Sequence, residues 1–122
     1  MESILTSIKK LLGISEDYDH FDTDLVMHIN SVFMILNQLG VGPKECFQIE
    51  DESATWDDFF AGKTNLASVK SYMYLKVKML FDHSMGPSMI ESIGRMANEF
   101  ESRLNMAVDP EQSAGEEEIQ NG

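Results

Sequence analysis

Residues 66–81, LASVKSYMYLKVKMLF, decide the fold. At about 100° per residue, Leu66, Val69, Met73, Val77 and Leu80 share one helical face, and Tyr72, Leu75 and Met79 make a second apolar strip on another side. A helix of this kind has to be covered from two directions. Its charges are Lys70, Lys76 and Lys78, with no carboxylate among them, in a chain that is otherwise acidic. That pattern suits a helix packed within its own fold and against a neighbouring chain, carrying cations toward something negative.

Immediately upstream, TWDDFFAG reads as a helical turn. Thr55 is placed to cap it, Asp57 and Asp58 suit its N-terminal dipole, and Gly62 is placed to stop it. Trp56, Phe59 and Phe60 are its anchors, and three aromatics on one turn most simply make a core plug. Thr64 or Asn65 then caps the central helix.

Further back, the spacing predicts a helix over residues 23–39, with Leu25, Ile29, Val32, Leu36 and Leu39 on one face and Val26, Phe33 and Met34 widening it. Asn30 and Asn37, seven apart, are candidates for fixing register against a partner helix. Gly40, Gly42 and Pro43 end this helix, and residues 44–54 follow as an anchored loop. The first helix is expected over residues 3–12, with Ser3 as N-cap and Gly13 in the C-cap glycine position. Between them, ISEDYDHFDTD is an acidic connector. A calcium loop counted from Asp17 would need Gly and Glu where Asp22 and His28 stand, so it reads as a solvated loop whose last aspartates cap the next helix.

Downstream, Ser88 and Glu91 form an S-x-x-E capping box for a helix with the stripe Ile90, Ile93, Ala97, Phe100 and Leu104, flanked by Met89 and Met96. Its outer side carries Glu91, Arg95, Glu99, Glu101 and Arg103. Residues 108–122 then turn acidic with few apolar side chains and are expected to be disordered. The fold class is therefore all-α: a bundle of about four helices plus a short helical turn in residues 1–107, with a disordered acidic tail.

The totals exclude several functions. A net charge of -12 over 122 residues argues against a free-standing nucleic-acid binder. No apolar run is long enough to span a bilayer, the N-terminus lacks signal-peptide order, and the single Cys46 suits a reducing cytosol. No nucleotide-binding, zinc-protease, C-x-x-C or nucleophile-elbow motif appears, and His20, His28 and His83 lack metal-ligand spacing. Hence no catalytic residue, metal or cofactor is expected.

IKKLLGI, INSVFMILNQLGVGP, ATWDDFFAG and SVKSYMYLKVKMLFD, followed by a polar amphipathic helix ending in RLN, together resemble the head-tail connector proteins of long-tailed bacteriophages and prophages, over about Ile4 to Asn105. Many relatives carry a proline just after the central helix, where this chain has Phe81-Asp82-His83 and reaches Pro87 only later. The resemblance implies a non-enzymatic virion protein made in the bacterial cytoplasm, forming a homo-oligomeric ring of about a dozen copies between the portal and the tail or stopper, with double-stranded DNA passing through unbound. Ring subunits bury lateral surfaces as well as a core, so the candidate oligomer and portal contacts are Met34, Tyr72, Leu75, Met79, Lys70, Lys76, Lys78, Arg95 and Arg103. Two other readings compete with a structural adaptor. An acidic helical binding module that imitates DNA rests on charge alone, and a small DNA-packaging protein rests on Lys63, Lys70 and Lys78 lying near one side of the central helix.

Overall fold

Five helices follow one another in the computed structural model, which describes the backbone of residues 2–61 and 66–121 and the side chains of residues 2–61 and 68–106. They are α1 (Ile4–Leu12), α2 (Asp22–Gln38), α3 (Trp56–Phe60), α4 (Leu66–Phe81) and α5 (Pro87–Asn121). Among the described residues there is no strand, only a single antiparallel bridge between Ser3 and Thr55. The all-α expectation holds.

Each helix end has a local cause. Ser3 accepts a hydrogen bond from the Thr6 N–H at the start of α1, and Gly13 closes it in the left-handed conformation, φ 80°. Thr55 and Asp58 satisfy each other's backbone N–H groups in a full capping box at α3. That short helix is turned off at Ala61, φ 48°, one residue before the expected Gly62, which lies outside the described residues along with Lys63, Thr64 and Asn65. The start of α5 differs from the expected capping box. The helix begins at Pro87, a position where a missing N–H costs nothing, and Glu91 bonds forward to Arg95. Its backbone continues to Asn121 through the segment expected to be disordered, whose side chains are outside the described residues.

α4 is the middle of the molecule. Val69, Met73 and Val77 are buried on one side, in a core with Ile4, Ile8, Leu25, Ile29, Val32 and Leu36 from α1 and α2. Tyr72 and Leu75 are buried on the other, where Ile93, Ala97 and Leu104 of α5 cover them. The two coverings follow from the two apolar strips, but both come from the same chain.

Helix directions are fixed by end-to-end contacts. The Phe21 and Phe81 rings meet edge to face at 5.1 Å, joining the start of α2 to the end of α4, while Phe33, further along α2, packs with Trp56 and Phe59 just upstream of α4. α2 and α4 therefore run antiparallel. A five-residue link and the pairing of Tyr72 with Glu101 make α4 and α5 antiparallel too. In consequence α2 and α5 run parallel on two sides of α4.

The long link after α2 is held rather than loose. Asn30 donates to the Ile49 carbonyl at 2.9 Å and accepts from the Ile49 N–H at 2.8 Å, and Asn37 donates to the carbonyls of Pro43 and Lys44. These two asparagines staple their own loop, so they are taken up within the chain and do not set register against another helix. Gly42 has φ 97°, and a Cβ there would lie 2.6 Å from the Phe59 ring, so the turn needs glycine on two counts.

Because Val77 is sealed among apolar neighbours, Val77→Asp places a carboxylate where nothing can pair with it, at a cost of several kcal/mol. The variant should show no cooperative thermal transition by circular dichroism at neutral pH.

Candidate interaction surface

The residues expected to reach a partner divide into three groups. Tyr72 and Leu75 are not available to a neighbour: Tyr72 is fully buried and Leu75 nearly so, both under α5, and Met79 is half-buried beside Gly94 of the same helix. The apolar strip assigned to an intersubunit contact is consumed by the fold. The cations form the second group, and each already has a carboxylate. Lys70 pairs with Glu2, Lys76 lies 3.9 Å from Glu101, and Lys78 lies 3.7 Å from Asp82. Arg95 and Arg103 pair with Glu91 and Glu99 one turn back on the exposed side of α5. These exposed pairs are worth at most about 1 kcal/mol each and can exchange partners. Met34 is the third case, and it is 52% exposed.

Met34 does not stand alone. Met27, seven residues earlier, is 62% exposed, and with Ser31 and Gln38 it forms the crest of α2 opposite the core. From Leu25 to Pro43 the sequence contains no Asp, Glu, Lys or Arg. A solvated helix face normally carries charge, whereas the centre of a protein interface is depleted of charge and enriched in methionine. That gap in the charge pattern was readable in the sequence and marks Met27, which apolar periodicity alone passes over.

A second exposed apolar set lies on α5. Met89, Met96 and Arg103 are also seven apart and line one flank of the helix, beside its buried stripe. Both helices pack on α4, α2 on the side of Val69, Met73 and Val77 and α5 on the side of Tyr72 and Leu75.

The α2 start and α4 end enclose an open groove of about 400 Å³ with Phe21 and Phe81 as its apolar walls and Asp24, His28, Asp82 and His83 around it. Tyr18 and His20 stack beside it, ring centroids 4.8 Å apart. No three His, Cys, Asp or Glu side chains among the described residues come together as a metal site. The acidic connector before α2 is tied down by Lys9, only 3% exposed, whose ammonium donates to the Glu16 carbonyl at 3.0 Å. It also lies 2.9 Å from Asp22 Oδ1, as an ion contact without hydrogen-bond alignment.

Asp82 shapes the link that follows α4. Its carboxylate accepts from the Ser84 hydroxyl at 2.6 Å and the Ser84 N–H at 2.9 Å, making a tight turn between α4 and α5. The Ser84 hydroxyl, then its N–H, hold the Asp82 carboxyl below the usual carboxylate range, with a smaller contribution from Lys78.

α2 thus sets a charge-free exposed crest on a helical core whose α4 lysines already face carboxylates. The family model for phage connector proteins matches residues 4–111. This chain belongs to the phage connector protein family. No curated protein and no solved structure matches it. The family is one of structural proteins, so the connector's role at the phage head-tail junction is structural. No helix among the described residues is long and apolar enough to cross a membrane.

The seam between α4 and α5 gives the connector a defined alkaline response. Tyr72 donates to Glu101 at 3.0 Å, and burial, followed by the neighbouring carboxylate, raises the phenol above its ordinary value of 10.0. A raised folded-state pKa means stability is complete below the unfolded pKa and drains away above it, so the loss starts near pH 10. Thermal melts from pH 8 to 12 should therefore show the wild type losing stability relative to Tyr72→Phe above about pH 10, with a constant difference below it.

Proposed function

We propose that this connector is a ring-forming adaptor that docks between the portal vertex and the tail or stopper and leaves a channel for DNA. The observation that carries the reading is the charge-free, methionine-bearing crest of α2, joined to membership of the connector family. A protein of net charge -12 that exposes an uncharged helix face has charge enough to stay soluble and a defined place to adhere.

The charge distribution supports passage of DNA without retention. Glu16, Asp17, Asp19 and Asp24 stand exposed around the start of α2, and Glu45, Glu50, Asp51 and Glu52 stand exposed on the loop that follows it. The lysines of α4 lie among carboxylates of the same chain, which offset their charge in a chain whose net charge is -12. Carboxylates so placed in a ring would repel DNA along the channel wall.

In this reading, α5 and its acidic continuation supply the contact to the portal, since residues 107–122 carry carboxylates and no Lys or Arg and so suit a basic partner surface. Light scattering coupled to size exclusion, on the chain alone and mixed with the portal protein of the same phage, reads the assembly directly. The expected result is a closed oligomer of about a dozen copies, alone or on the portal. A chain that stays monomeric in both mixtures contradicts the proposal.

A further inference from the structure

We infer that adjacent copies join through two different faces, the α2 crest of one seated on the α5 flank of the next, in parallel register with Met27 against Met89 and Met34 against Met96. This rests on the ring reading above and specifies its lateral contact.

Three observations lead to that pairing. First, a ring needs a heterologous contact, in which one patch meets a different patch on the next copy, and the two patches must lie on different sides of the subunit. The exposed methionines of α2 and α5 satisfy this, being set on two helices that pack on different sides of α4. Second, the spacings match. Met27 to Met34 and Met89 to Met96 are each two helical turns, about 10 Å, so two knobs on one helix meet two on the other. Third, direction is set by symmetry. Within one copy α2 and α5 run parallel, because each is antiparallel to α4. A rotation of about 30° between neighbours in a ring of about a dozen nearly preserves direction, so the neighbour's α5 also runs parallel to α2.

Charge agrees with this register. Parallel pairing carries Arg103, one further repeat along α5, past the end of the neighbour's α2 toward the start of the loop that follows it, which bears Glu45. α2 offers no formal charge between Leu25 and Pro43 to leave stranded in the contact. Arg103 holds Glu99 only through an exposed pair, which leaves it free to engage the loop.

Disulfide trapping in the full chain tests the arrangement, with exposed Cys46 replaced by serine in every variant. A cross-link requires Cα atoms within about 7 Å, whereas a register slip of two turns displaces them by about 10 Å. Under mild oxidation, alone and with portal, the double variants Met34→Cys/Met96→Cys and Met27→Cys/Met89→Cys should each give a ladder of covalent multimers extending past the dimer. The off-register Met27→Cys/Met96→Cys pair and each single variant should stay uncross-linked, and a mixture of Met34→Cys with Met96→Cys chains should stop at the dimer. Dimers from Met34→Cys alone would mean that the crest meets its own copy across a two-fold axis, and overturn the inference. Rings that light scattering sees but that give no ladder overturn these faces while leaving the ring itself standing. Absence of any ring, with and without portal, defeats both. Wild-type-like thermal melts of the variants establish that a missing ladder is not a folding failure.

Discussion

The seam that α5 lays along α4 governs the rest of the molecule. α4 has apolar side chains on two sides, and a helix so built cannot remain in water with either side bare. α1 and α2 take one side, and Ile93, Ala97 and Leu104 take the other, with the Tyr72 hydroxyl satisfied by Glu101 where the seam reaches the surface. Once that second side is closed internally, α4 has little left for another copy. The outward methionines of α2 and α5 are then the surface on which an assembly can be built, and they sit on helices whose directions the same seam has fixed.

This division of labour was only partly legible in the sequence. The helices, the need to cover α4 twice, the Ser3 and Thr55 caps and the aromatic plug of α3 all follow from period, capping chemistry and burial, which act over a few residues. What covers α4 is a long-range matter. The stripe of α5 is recognisable in the sequence, yet nothing local says whether such a stripe meets its own α4 or a neighbour's; the fold buries Tyr72 and Leu75 within the chain. Lys9 shows the same limit. In sequence it is one of two adjacent lysines at the end of α1, but the fold buries one against Glu16 and Asp22 and leaves Lys10 outside. The asparagines of α2 likewise found an intrachain loop to hold.

Side-chain carboxylates also shape the links between the helices. After α4, Asp82 folds the chain with its own carboxylate, which accepts from the Ser84 hydroxyl and N–H. Asp51 and Ser53 repeat the device in the loop stapled by Asn30. Both turns constrain links through a side chain, and the first sets how α5 returns along α4, so the geometry of the outer faces depends on it.

The central claim is that α4 is sealed within one chain and that α2 carries the face used between chains. Oxidation footprinting of the methionines by dilute peroxide, read by mass spectrometry on dispersed and portal-assembled protein, addresses it most directly. The account predicts that Met73 is oxidised slowly in both states, while Met27 and Met34 react readily when dispersed and become protected on assembly. Ready oxidation of Met73 in the dispersed chain, or Met27 and Met34 remaining as reactive in the assembly as outside it, would contradict the account.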